Sequence, residues 1–195
     1  MTNAHDKKSG HPPVNEGRRN LTKAGLAVPA VLGTLASRPV LANVPWKCTI
    51  SGQVSGNVSG HESETCNSLG SSHADLTSSY SSSTDTLSDL FPGLTVYFHW
   101  NSSTNSLTTA PGDPEATIPQ ILGSIPPSGL EYAQKAVVLL LNAKSIADTS
   151  LYPLTEFQAK NLYIAAATGG SYNDTNPPVN WANAQVNYYI DLLYH

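Results

Sequence analysis

Between Thr49 and Thr109, 25 of 61 positions are Ser or Thr, and that density decides where a core can come from. Short hydroxyl side chains bury little apolar area, so this stretch cannot assemble a sizeable core unaided. Its first part carries a four-residue repeat, Ser51-Gly52-Gln53-Val54, Ser55-Gly56-Asn57-Val58 and Ser59-Gly60-His61-Glu62. Repeated Ser-Gly steps favour turns or extended backbone, and the repeat is far too short for a solenoid. Asp75 to Asp89, with the run Ser78-Ser79-Tyr80-Ser81-Ser82-Ser83, reads as a loop. One segment differs. Leu94-Thr95-Val96-Tyr97-Phe98-His99-Trp100 is dense in β-branched and aromatic residues and lies between Pro92-Gly93 and Asn101-Ser102-Ser103, so it reads as the main strand. A short Cys48-Thr49-Ile50 strand is its expected partner.

From Pro114 the periodicity becomes helical. Gly129 to Ala147 places Leu130, Ala133, Val137, Leu140, Leu141 and Ala143 at helical spacings. Thr155 and Gln158 have capping-box spacing, predicting a helix to about Thr168 that stops at Gly169-Gly170. Trp181 to Tyr194 follows, with Val186, Tyr189, Ile190 and Leu193 on one face. The fold class expected is α-rich, mixed α+β, a C-terminal bundle of about three helices with a loop-dominated, weakly β N-terminal half. The chain divides as 1–42, 43–112 and 113–195.

Charge gives segment 1–42 a separate character. All the arginines lie there, and six basic residues against two acidic ones make a net +4, while residues 43–195 carry −8. Arg18-Arg19-Asn20-Leu21-Thr22-Lys23 precedes an apolar run, Ala24 to Ala36, and then Ser37-Arg38-Pro39-Val40-Leu41-Ala42. Charged, apolar and small-residue parts in that order make an export signal, with cleavage expected after Ala42. The run is shorter than the ~20 residues of a membrane span, and Pro29 interrupts it. Arg18, Arg19 and Lys23 resemble the twin-arginine signal, so the leader's expected partner is the twin-arginine export machinery. The product is then periplasmic, cell-surface or extracellular, with no stable membrane anchor after cleavage. Four Lys and no Arg in a chain of net −8 exclude nucleic acid as a partner, because phosphate neutralisation needs several cations on one face.

Leu139-Leu140-Leu141-Asn142-Ala143, Tyr152-Pro153-Leu154-Thr155 and Ala165-Ala166-Ala167-Thr168-Gly169-Gly170 together resemble a module of exported bacterial proteins of unassigned function. The leader followed by Cys48-Thr49-Ile50-Ser51-Gly52-Gln53-Val54-Ser55-Gly56-Asn57 is similar to the start of such proteins. Many of them carry a Pro-Gly-Tyr-Trp motif where this chain has Leu94 to Trp100. The resemblance implies export and brings no activity or catalytic residue with it.

Cys48 and Cys66 are the only cysteines. In an oxidising compartment they are expected to form one disulfide, contributing about 3 kcal/mol by chain entropy. The alternative is a metal-binding module of His61, Cys66 and His73, whose spacing matches no zinc signature. His99 could serve a secreted hydrolase if a carboxylate and a hydroxyl gathered beside it. No Gly-x-Ser-x-Gly elbow, phosphate-cradling loop or dinucleotide fingerprint occurs, and no cofactor is expected. Asp113 and Glu115 precede a helix and read as caps for it, while Asp174 lacks the ligand sequence of a calcium loop. Trp181, Tyr188, Tyr189 and Tyr194 offer a contact surface for a protein or carbohydrate ligand if one side of the last helix is exposed. The leading expectation is an exported, non-enzymatic binding or structural protein.

Overall fold

The computed structural model describes residues 44–56, 64–66, 68–149 and 151–195. The leader residues Arg18, Arg19, Lys23 and Ala42 lie outside them, as does His61. Among the described residues the architecture is mixed α+β, with two small antiparallel sheets. In chain order the elements are a 3-10 turn at Trp46–Cys48, helices α1 Ile50–Ser55, α2 His73–Ser79 and α3 Leu87–Leu90, and strands β1 His99–Asn101 and β2 Ser106–Thr108. Helices α4 Ile118–Gly123, α5 Glu131–Ser145 and α6 Glu156–Thr168 follow, then strands β3 Tyr172–Thr175 and β4 Pro178–Trp181 and helix α7 Asn183–Leu193.

Helix α5 is central. Every residue from Ala136 to Ala143 is buried, so this helix is apolar around its circumference and must be covered on several sides. Helices α6 and α7 cover most of it, with α2 and α4 packing on the remainder. Helix α6 is bounded as its sequence dictates. The Thr155 hydroxyl accepts from the Gln158 amide, the Gln158 side chain accepts from the Thr155 amide, and Gly169 closes the helix at φ 66°. Helix α7 begins later than its apolar pattern suggests. Trp181 ends β4 opposite Tyr172 and stacks on Tyr189 with ring centroids 5.0 Å apart. Tertiary packing of that indole thus overrides helical propensity at the boundary.

The Ser/Thr-rich zone differs most from its sequence reading. Asp75 to Asp89 is not a plain loop, because it contains most of α2 and most of α3. Ser72 with Asp75 and Thr86 with Asp89 form capping boxes that start the two helices. Those hydrogen bonds hold both carboxyls below the ordinary range, chiefly through the Ser72 hydroxyl at Asp75 and the Thr86 amide at Asp89. The expected Cys48-Thr49-Ile50 strand is helical instead. Thr49 caps α1 by accepting from the Gly52 amide at 3.0 Å, and a Cβ on Gly52 would lie 1.9 Å from the Trp46 carbonyl oxygen. Only glycine permits α1 to fold back so closely on the 3-10 turn. In the Leu94–Trp100 segment the ladder begins only at His99, since Leu94 and Phe98 are spent anchoring the chain into the core.

The core is continuous across the two zones, running from Val44 and Ile50 through Leu87, Phe98 and Leu107 to Leu140, Leu162 and Ile190. Cys48 and Cys66 are joined by a disulfide and buried. The Tyr189 phenol of α7 donates to the Cys48 carbonyl at 2.7 Å, tying the last helix to that bridge. Among the described residues, no helix is long and apolar enough to cross a membrane.

Candidate functional site

The β1–β2 hairpin carries the most chemistry. Its register sets His99 opposite Thr108, Trp100 opposite Leu107 and Asn101 opposite Ser106. The outer edge of β1 meets the segment 113–116, where the Trp100 amide donates to the Pro114 carbonyl and the Ala116 amide to the Phe98 carbonyl, each at 2.8 Å. His99 is thereby paired with Glu115. Directly opposed residues share a face, so Thr108, His99 and Glu115 form one cross-strand row and Trp100 and Leu107 occupy the other face.

The row joins a hydroxyl, an imidazole and a carboxylate, but each is committed elsewhere. A carbonyl can only accept, so the contact of His99 Nδ1 with the Asp113 carbonyl at 2.8 Å makes Nδ1 the protonated nitrogen. The Glu115 carboxylate accepts from the Ser88 amide at 2.8 Å and the Ser88 hydroxyl at 2.7 Å. It serves the N-terminus of α3 rather than the helix that follows it in sequence. Asp113 accepts from the Asn101 side chain at 3.0 Å and braces the hairpin. Neither acid caps α4, where Gln120 accepts from the Thr117 amide instead. Thr108 Oγ1 accepts from the Ala110 amide. The structure brings His99, a carboxylate and a hydroxyl together without linking them into a proton relay.

The opposite face is a groove. Trp100 and Leu107 line it with Asn105 and Ser106 of the hairpin, and Gly123 to Pro127 form the facing wall, enclosing about 630 Å³. Leu107 is buried at its floor, Trp100 is half-buried with part of its indole against the core, and Ile125 projects at 90% exposure. Asn105 sits at φ 53°, a left-handed conformation that Asn tolerates better than most residues. Sequence reasoning missed this groove. Its legible signals are Trp100 and the Ile125-Pro126-Pro127 run, whose apolar and rigid residues lie outside any amphipathic pattern.

The remaining candidates separate. Cys66 is bonded to Cys48 and so offers no thiolate to the metal reading, and His73 Nε2 donates to the Leu122 carbonyl at 2.9 Å. Among the described residues no group of three or more His, Cys, Asp or Glu gathers that could hold a metal ion. In the aromatic C-terminal region, Trp181 and Tyr189 are buried and only Tyr188, at 59%, is widely exposed. Burial also pushes the Tyr189 phenol well above its usual pKa. Asp174 is held within its own hairpin by the Tyr172 phenol at 2.8 Å and the Thr175 amide at 2.7 Å. No protein-family model, curated protein or solved structure matches this chain.

Proposed function

We propose that this is an exported protein that acts outside the cytoplasm by binding or as a structural component, and that it belongs with the exported bacterial proteins its helical motifs resemble. The observation that carries the reading is the buried Cys48–Cys66 bridge, because such bonds persist in oxidising compartments. On this reading residues 1–42 are a twin-arginine leader removed after Ala42, and α5, α6 and α7 are the bundle on which the 43–112 region is mounted. Mass spectrometry of the exported protein tests it. The expected species starts at Asn43 and is lighter than the dithiol by two hydrogens, and an exported mass that retains residues 1–42 overturns it.

A second reading rests on the Thr108, His99 and Glu115 row. If the protein is a hydrolase, rotation of Glu115 away from Ser88 would free a carboxylate beside the imidazole. Turnover of a p-nitrophenyl ester that His99→Ala abolishes would support this reading, and equal rates in both proteins would remove it.

A further inference from the structure

The geometry points to the Trp100 groove as a binding site for a neutral oligosaccharide. This rests on the reading of the protein as an exported binding protein and supplies the ligand class for it. The lining contains no charged side chain, although the chain beyond residue 42 carries −8. Nothing in the groove can compensate an ionic ligand, and an anionic one would also meet an acidic protein. What the groove presents is an indole beside an apolar floor with short polar groups at its rim. A sugar ring has the complementary form, with C–H groups on its faces and hydroxyls around its edge.

Each part of the lining has a place in that arrangement. Trp100 packs on the core with part of its surface, so the ring is held in one orientation before any ligand arrives. That reduces the entropy lost on binding. The Ser124 hydroxyl donates to the Gln120 carbonyl at 2.6 Å, and its oxygen retains lone pairs for a ligand hydroxyl. The Asn105 side chain is exposed on the hairpin turn and adds an amide that can both donate and accept. Ile125, flanked by Pro126 and Pro127, stands across from the hairpin and would cover a second ring. The groove is partly open to solvent, which suits a surface-bound oligosaccharide better than a fully enclosed small molecule.

The test is an NMR titration of the purified, oxidised full-length chain with maltohexaose, cellohexaose and chitohexaose, following the indole N–H signals of its three tryptophans. Saturable shifts at Trp100 with at least one oligosaccharide, with the Trp181 signal unmoved, are expected. Trp100→Ala should weaken binding by about tenfold or more. Because that variant removes a ring packed on the core, Ile125→Ala is paired with it. Ile125 is almost wholly exposed, so its loss should weaken binding several-fold with the melting temperature unchanged. Phe157→Ala alters an exposed ring elsewhere, at 65% on α6, and should leave affinity as it was. Absence of any shift overturns the proposal. So does a Trp100 response confined to a proline-rich decapeptide, which would make the groove a peptide site. The titration of the purified protein and the mass of the exported species are independent measurements, so a failure of the oligosaccharide proposal is read separately from a failure of the export reading.

Discussion

The two zones of this molecule share one core but are held into it by different means. From Glu131 onward the helices α5, α6 and α7 bury whole apolar faces against one another. Before Thr109 the chain supplies isolated anchors such as Leu76, Leu87, Phe91 and Phe98. Between those anchors it relies on directional bonds. The disulfide joins Cys48 to Cys66, and two capping boxes start α2 and α3. The buried Asn142 side chain accepts from the Ser71 amide at 2.7 Å and donates to the Ser71 carbonyl at 2.9 Å. A region poor in apolar surface can thus be ordered, provided specific bonds replace the area it cannot bury.

The largest test of that contrast is Leu140→Ala. Leu140 is fully buried in the central helix, and its loss should cost about 3 to 4 kcal/mol in global stability by denaturant unfolding. Removing the disulfide with Cys48→Ala and Cys66→Ala should cost about 3 kcal/mol. Here hydrogen exchange should show protection lost first in residues 44–56 and 68–80, with α5 and α6 keeping theirs. Equal loss in all of these would mean that the two zones unfold as one unit and the contrast fails.

Asn142→Leu keeps the branched outline of the side chain but leaves both Ser71 backbone groups unpaired. A loss of about 2 kcal/mol is expected, concentrated around Ser71. The neighbouring Gly70 sharpens the point. It sits at φ 79°, and a Cβ there would lie 2.7 Å from the Asn142 amide carbon, so the clamp needs glycine on one side as well as Asn on the other.

The smallest effect concerns acid. Burial raises the Asp174 pKa, but hydrogen bonds from the Asn176 amide, the Tyr172 phenol, the Gln158 side chain and the Thr175 amide together lower it further, leaving it below 3.8. With a depressed folded pKa, the stabilisation is complete above the unfolded value and fades as pH falls through the folded one. The β3–β4 hairpin should therefore loosen below about pH 4. Asp174→Asn should flatten that part of a stability profile measured against pH.

Much of the C-terminal zone was legible. The capping-box spacing at Thr155 and Gln158 and the glycine stop at Gly169 locate α6 to the residue, because caps act within one turn of chain. The same spacing occurs at Ser72 and Asp75 and again at Thr86 and Asp89. It was legible there too, but serine density concealed it. The Leu-Leu-Asn-Ala motif reads differently in three dimensions. Its leucines are core, and its Asn is a backbone clamp for a turn 71 residues earlier. At the hairpin, the acid and imidazole types were visible while their partners were not. Glu115 answers to Ser88, 27 residues away, and no spacing rule connects them.

Sequence alone determined the elements whose signals are local: the apolar periodicity of α5, the caps of α6, and the opposite charges of segment 1–42 and the chain beyond it. Tertiary structure decided everything that depends on distant partners. It shortened the aromatic strand to three residues by drawing Leu94 and Phe98 into the core. It turned Glu115 toward Ser88 and set Trp100 across from Ile125. Propensities and caps act over a few residues, whereas burial and hydrogen-bond satisfaction are settled only when the whole chain has packed.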